Sequence, residues 1–502
     1  MTDTHNYVHP HTLEQLLQGC EAEKLHLSGA IQSFGAMLRI DTNSLCVTHA
    51  SANLKDFVGV EPSDTLGRHI DQFTWLSSQQ IAPLASQVGQ TLAIRGVFQD
   101  AAGRIDALLI RGDGCILVEL ERNNIPAEPI ALQHLQHAFL SAPQNPTEMS
   151  QYHQTLVQAF RRITGFDRIM IYRFTPDWSG EVIAEATAAG VGSYLDLRFP
   201  ASDIPAIARN LYAVNPARMI PDAKADVVPV LGVDGSVLDL TRSDLRSASE
   251  VHLVYLANMG IQASFSVPIR INSVLWGLVA CHHRTAQILT PDQRNACVVL
   301  THTYALGLSS YLSGHRLQTI DSLDRRIDGV LEKLGAYADP LDGIETNGQA
   351  LMDALGAQGF AMAIKDNVVI NGDGPDLDGL AVIDDWFVNR CKDLILSSDH
   401  LSDLFPDQML VLSVASGMMA IKAQAPRSGW VRFYWFRQAE PQQVAWAGNP
   451  NKPMSENAGA IALSPRRSFE RWVENKSDYS SPWTREEQIV AAKFRNNLLR
   501  WL

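Results

Sequence analysis

The sequence predicts an α/β (α+β) protein of three domains, each an antiparallel sheet with helices, linked by a long helical spine. Three observations carry this. At 502 residues the chain has room for about three domains of about 150 residues each. Short apolar runs of strand type alternate with segments of helical period. One stretch, from Pro291 to Tyr337, has no internal proline and keeps helical spacing.

Composition narrows the function classes. The apolar fraction is 46% and the charged fraction 19%, as in globular proteins with several cores. A net charge of -13 argues against broad nucleic-acid binding, which wants basic surface, but leaves room for a small anion held by local arginines. The six cysteines, at 20, 46, 115, 281, 297 and 391, form no CxxC pair. Neither a zinc knuckle nor a thioredoxin-like site is indicated, and the spacing suits reduced cytosolic thiols. The N-terminus lacks the apolar core of a signal peptide, and no run of 18 apolar residues exists. A cytoplasmic protein is expected.

The elements follow in order. Residues 11–18 read as a short helix, with Cys20 just after it. Strand runs come next: 36–40, 45–49, then LAIRGVF, ALLIR and CILVEL between 92 and 120, with SANLKDFVG as a helix between the early strands. A proline-punctuated stretch leads to the helix QTLVQAFRRITG, which Gly165 should stop. Strands at 166–174 and 180–187 precede DLRFPASDIP, Asp196 to Pro205. There two prolines hold Phe199 and Ile204 out of helix and stiffen Asp203 between them. AIARNLY reads as the next helix, followed by a polar loop to about 245. The helix SASEVHLVYLANMG comes next, with Ser247 or Ser249 at its cap, then the strands IQASFSVPIRI and SVLWGLVACHH. The proline-free spine of about 45 residues would be about 70 Å long. Leu300, Leu306, Leu308, Leu312, Leu317, Ile320, Leu323, Ile327, Leu331 and Leu334 could pack on its own domains or on a second copy. Residues 340–440 form a third α/β unit. An irregular insert of about 40 residues and a terminal helix close the chain.

Several residue types invite chemistry. Arg218 and Arg246 are forked donors suited to carboxylates, or ordinary surface residues. Cys20 is either a small apolar side chain or a thiol open to covalent linkage. Cys281-His282-His283 does not make a metal site, because neighbours on a strand face opposite ways. No Walker loop, histidine-kinase ATP-site glycine pattern or GGDEF string is present, so no common nucleotide-enzyme motif stands out.

DLRFPASDIP, LRSASEVHLVYLANMGIQASFS, WGLVACHH and PRRSF occur in that order, and the whole chain resembles the photosensory core of bacteriophytochromes. The resemblance implies an N-terminal segment (1–29), a PAS domain (30–125), a GAF domain (126–310) and a PHY domain (311–502) with a tongue at about 438–483. It implies a red/far-red photoreceptor that binds biliverdin IXα through a thioether to Cys20 and switches by Z/E isomerisation. Tyr172, Phe199, Asp203, Ile204, Tyr212, Arg218, Arg246, Ser249, His252, Tyr255, Ser264, Ser266 and His282 then contact the chromophore. Arg218 and Arg246 would hold a propionate, His282 the D-ring carbonyl, and Asp203 would offer its carbonyl to the pyrroles and its carboxylate to Arg466. Trp446, Gly448, Pro465, Arg466, Ser468, Phe469, Trp472 and Glu474 belong to the tongue. The family's N-terminal segment is knotted through the GAF domain, with Ile31 as the threaded residue; Ser28 and Ser33-Phe34 depart from the usual pattern there. A homodimer through the long helices is implied, as is a response regulator or output domain, commonly a histidine kinase, beyond Leu502. Two rivals are a GAF domain that binds a cyclic nucleotide or haem, and an enzyme.

Overall fold

Three antiparallel sheets organise the chain. The computed structural model describes residues 24–123, 131–365, 367–405, 415–425, 429–450, 456–457, 460–461 and 469–501. The expected helix at 11–18, Cys20, Pro465, Arg466 and Ser468 lie outside these. The chain divides into two compact units, Met1–Tyr311 with Ala445–Trp472, and Leu312–Val444 with Val473–Leu502. The first two expected domains therefore share one unit.

The first sheet contains β1 (Ala30–Gln32), β2 (Gly35–Asp41), β3 (Val47–Ser51), β4 (Thr91–Asp100), β5 (Gly103–Arg111) and β6 (Cys115–Arg122). Leu38, Ile40, Val47, Leu109, Val118 and Leu120 build its core. The SANLKDFVG helix is a single turn, Lys55–Val58, ended by Gly59 at φ 71°.

One expectation fails here. The polar loop expected up to about 245 contains a short strand at Arg218–Ile220 and another, Val227–Gly232, that inserts between β1 and β3. The second strand is amphipathic, with every other residue exposed, and it carries Pro229, so its local pattern reads as loop. Both edges of β1 are occupied by this stretch. Ala30–Gln32 pair with Pro229–Val227 on one side. On the other, Gln32 N–H donates to Leu245 O and Ser247 N–H to Ala30 O. Ile31 is fully buried and clusters with Leu238, Leu240 and Leu245. Ile31 is the residue expected to be threaded; the part of the N-terminal segment ahead of Lys24 lies outside the described residues.

The second sheet is preceded by helix α1 (Pro146–Thr164). Asn145 accepts from Glu148 N–H at 2.9 Å, Pro146 opens the first turn, and Gly165 at φ 68° stops the helix, as the sequence predicts. Its sheet runs in the order β10-β12-β13-β7-β8-β9, where β7 is Arg168–Phe174, β8 Gly180–Thr187, β9 Arg198–Phe199, β10 Arg218–Ile220, β12 Ala263–Ile271 and β13 Val274–His283; Val227–Gly232 is β11. Helix α2 (Ala206–Val214) packs against β12 and β13, and Leu256 of helix α3 (Glu250–Asn258) clusters with Ile220 of β10. One face packs on α1 and on the spine, α4 (Pro291–Leu334), through Phe160, Phe265, Cys281, Leu300 and Leu308.

In the other unit, β14 (Gly359–Ile364), β15 (Asn367–Gly372), β16 (Ile395–Ser398), β17 (Gly417–Ala425) and β18 (Gly429–Arg437) form an antiparallel sheet in the order β15-β14-β18-β17-β16. Leu323, Ile327 and Leu334 of α4 pack against one face with Phe433, Trp435 and Phe494. Six of the ten apolar spine positions are thus in or against their own cores. Leu306 and Leu317 remain 74% and 69% exposed.

Candidate functional site

The site is built on the face of the second sheet that α1 does not cover. Cys281 points into the core, so His282 must point to the opposite face. Strand register carries neighbours to the same face. Ser264 stands directly across from His282, and Ser266 lies across from both Ala280 and Arg218. Leu278 lies across from Tyr172. Residues far apart in the chain are thereby brought onto one surface.

That surface is roofed by irregular chain. Phe199 is buried in β9, and Pro200 (φ -66°) starts a single 3-10 turn, Ala201–Asp203. Ile204 is non-helical at φ -129° and ψ 83°, and Pro205 opens α2. The stiffening expected of the two prolines is realised, with the added feature that Asp203 closes a turn. Arg209 donates to Ile204 O at 2.6 Å and fixes the turn from the following helix. Tyr172, Val182, Leu197, Phe199 and Leu278 form an apolar cluster with Ile204, Tyr212, Met259 and Phe469 at its margin. The rings of Tyr172 and Phe199 lie 5.9 Å apart.

Helix α3 brings its own set. Ser249 stands at its N-cap position. His252 and Tyr255 stack at 6.1 Å, and the Tyr255 hydroxyl donates to Asp203 Oδ2 at 2.9 Å. The Tyr255 ring also meets Phe469 edge-on at 5.3 Å. Trp446 pairs with Arg198 as a parallel strand, and Gly448 N–H donates to Glu470 O at 2.7 Å. Trp472 and Glu474 lie on a strand, Arg471–Lys476.

A second group is cationic. Arg218 donates from Nη1 to Asp244 O at 2.7 Å and from Nη2 to Arg246 O. Among the described residues Arg246, itself buried, reaches only the carbonyls of Leu240 and Thr241, at 3.3 and 3.4 Å. Among the described residues, neither guanidinium forms an ion pair with a carboxylate. Burial, then the like charge of Arg218, pushes Arg246 down to about 9. Burial likewise lowers Arg218. Tyr212 and Ser266 share a hydroxyl–hydroxyl bond of 2.7 Å beside them.

Both histidines are held neutral. Desolvation, with Arg218 adding, lowers His252 to about 4. Desolvation, with Arg168 and His252 adding, lowers His282 to about 3. His282 Nδ1 is buried with no hydrogen-bond partner among the described residues. A ligand that offers a polar atom to His282 and a carboxylate to the arginines would satisfy both groups.

Sequence reasoning missed two supports. Gly180 lies under the Tyr172 ring, where a Cβ would fall 1.6 Å from Cζ. Gln32 Nε2 donates to the carbonyls of Met219, Asp244 and Arg246, and so reads the same two carbonyls as Arg218. Neither is flagged by local pattern; only the glycine at a strand start hinted at a close approach. No three metal-ligating side chains stand together among the described residues, and no described helix is long and apolar enough to cross a membrane.

Comparison with known proteins places this geometry in context. Family models match a PAS fold at 20–123, a GAF domain at 149–308 and a phytochrome region at 324–502. The chain is 31% identical over 497 residues to cyanobacterial phytochrome B of Nostoc sp., covering 96% of this chain and 66% of that protein. It is 30% identical to a bacteriophytochrome of Pseudomonas aeruginosa, with the same coverages. The chain thus spans about two thirds of the length of these relatives. Among solved structures, a bacteriophytochrome of the photosynthetic bacterium R. palustris superimposes with a TM-score of 0.81 at 29% identity, over 96% of this chain and 99% of the other. The phytochrome photosensory core module of Stigmatella aurantiaca gives 0.79 at 29% identity, over 96% and 97%.

Proposed function

Because the chain belongs to the phytochrome family of photoreceptors, with PAS, GAF and PHY domains, we propose that it binds biliverdin IXα and switches between red- and far-red-absorbing states. The observation that carries this is one face that combines Arg246, buried, and Arg218, half-buried, neither in an ion pair among the described residues, with the Nδ1 of His282, which has no hydrogen-bond partner among them. A bilin supplies light absorption and Z/E isomerisation. The residues of the chain supply the rest.

Arg218 and Arg246 take a propionate, with Tyr212, Ser249, Ser264 and Ser266 as hydroxyl neighbours. His282, neutral, has one ring nitrogen that donates and one that accepts, and it serves the D-ring carbonyl. His252 holds the water at the pyrroles. Tyr172, Phe199 and Tyr255 shape the D-ring space, and Ile204 packs on the ring system. Asp203 gives its main-chain carbonyl to the pyrrole N–H groups. Cys20 would hold the bilin covalently, its thiol supplying a thioether to the A-ring vinyl group.

Signalling is the second half of the proposal. The Asp203 carboxylate bonds Tyr255, and Tyr255 abuts Phe469, so a change at Asp203 has a short route into the insert. Arg466 is the intended ion-pair partner, and a buried pair with one member removed is costly enough to make the response two-state. The insert, strand in its described parts, exchanges to helix; Phe469 and Trp472 fall at i,i+3 there and share a face. Trp446, Gly448, Pro465, Ser468 and Glu474 belong to the same switching faces. The domain limits of 30–125, 126–310 and 311–502, a homodimer through α4 and a recipient output domain or response regulator complete the proposal.

The test is spectroscopic. Apoprotein mixed with biliverdin should gain a far-red band that photoconverts reversibly. No band, with a haem or a cyclic nucleotide bound instead, would replace this reading by a dark chemical sensor. Cys20→Ala should keep bilin bound but lose it on denaturation. Asp203→Ala should keep attachment and impair photoconversion.

A further inference from the structure

The arginine pair is one end of a buried charge network that reaches the first sheet. Glu119 on β6 is 1% exposed. Its Oε1 accepts from Ser243 Oγ at 2.5 Å, and its Oε2 has no partner among the described residues. Its cross-strand neighbours, Met37 and Leu108, are apolar. The charged groups that face the network come from five elements. β6 adds Glu121, bonded to Arg294 Nη2 of α4 at 2.5 Å. The 243–246 segment adds Asp244, 3.7 Å from Arg294, and Arg246. β10 adds Arg218, whose charge Glu119 favours, as it does those of Arg246 and Arg294. Asp106 of β5 lies beyond, against Glu121. Glu119, Glu121 and Asp244 thus face Arg218, Arg246 and Arg294, three carboxyls against three guanidiniums.

We propose that a ligand carboxylate docking on Arg218 and Arg246 drives proton uptake by Glu119, so that anion binding on the second sheet is linked to protonation of the first. The inference rests on the bilin reading above. With all six groups ionised the network is neutral, and a ligand carboxylate leaves one negative charge too many. The least supported carboxyl is the one that yields. Glu119 is supported by neutral groups alone, the Ser243 hydroxyl and, more weakly, the Leu245 N–H, whereas Glu121 has a guanidinium. Desolvation, with Asp244 and Glu121 adding, already raises Glu119 to about 8. A carboxylate arriving at the arginines raises it further. Uptake is therefore largest above pH about 8, where free protein has lost this proton and bound protein keeps it. Over that window affinity should fall by up to about tenfold per pH unit. His252 and His282 titrate well below it.

The test is calorimetry of biliverdin binding to the full chain. A Cys20→Ala background keeps binding reversible, and buffers of different ionisation enthalpy are used at pH about 8.5. The proposal expects uptake approaching one proton per biliverdin. Glu119→Gln should bind with most of that uptake lost, the remainder being what Arg246, at about 9, takes up on pairing with the carboxylate, and biliverdin dimethyl ester, which has no carboxylates, should show none with either protein. Uptake undiminished in Glu119→Gln assigns the proton elsewhere, Arg246 included, and overturns the proposal. Should Glu119→Gln fail to fold, Ser243→Ala decides. Losing the hydroxyl donor must move the uptake profile to higher pH, and an unmoved profile overturns the proposal. Failure of biliverdin to bind any variant removes the bilin reading and this inference together. Binding with unchanged uptake removes only this one.

Discussion

Replacing Arg246 with methionine should make the ligand-free protein more stable and its ligand binding worse. The magnitude follows from the burial of the guanidinium. Its ordinary value of 12.5 falls to about 9 in the fold. At about 1.4 kcal/mol per unit, holding it charged costs about 5 kcal/mol. The sign is fixed by the direction: the cost is fully present below pH 9 and is relieved as pH rises through the folded value. Bonds to the Leu240 and Thr241 carbonyls, long at 3.3 and 3.4 Å, return about 1–2 kcal/mol each. A net cost of about 1–3 kcal/mol remains, and buried charges replaced by well-packed apolar side chains often stabilise by that much. Methionine approximates the length of the stem and adapts to the space. The assay is urea unfolding of apoprotein, with the transition of the first unit followed separately from that of the second. Biliverdin affinity should fall at least about tenfold, about 1.4 kcal/mol. If apo Arg246→Met is less stable than wild type by 1 kcal/mol or more, the guanidinium is a satisfied structural group and the anion-site argument fails.

Three other outcomes follow from single observations. Gly180→Ala places a Cβ 1.6 Å from Tyr172 Cζ, and should cost about 1–3 kcal/mol in unfolding and shift the bound-bilin band; an unchanged midpoint would mean that the ring swings aside freely. Leu306 and Leu317 lie three turns apart on one face of α4 and are exposed, so a Leu306→Glu, Leu317→Glu double variant should be monomeric by light scattering, and persistence of a dimer would place the interface elsewhere. His252 and His282 have folded values of about 4 and 3, below the unfolded 6.5. Their contribution is present above pH 6.5 and lost as pH falls towards 3. Apoprotein should therefore destabilise over that window, and His282→Gln should flatten the dependence; an identical slope would remove His282 as its source.

Local chemistry wrote much of this protein directly into the chain. The prolines at 200 and 205 fix the backbone on either side of Asp203 whatever surrounds them, because their rings set φ. Asn145 and Gly165 bound α1 for equally local reasons, and the spine was legible as an unbroken period. The identities of Arg218, Arg246, His252, Tyr255 and His282 were legible through motif order, which reports a family's site. Their geometry was not. His282 stands opposite Ser264 through strand register, and Tyr255 reaches Asp203 only because the fold brings α3 to a turn 52 residues upstream. The strand Val227–Gly232 went unread because its pairing partners lie about 180–200 residues upstream, at 30–32 and 49–51. The same long-range pairing joins the first two sheets into one unit and buries Glu119 beside the arginines. Which spine leucines are core and which stay exposed is likewise a matter of what each domain lays against the helix. The sequence by itself determined backbone stiffness, helix limits and the inventory of chemical groups, since these depend on neighbours a few residues away. Only the tertiary structure decided which charges are buried together and what faces them, because desolvation depends on every segment that packs around them.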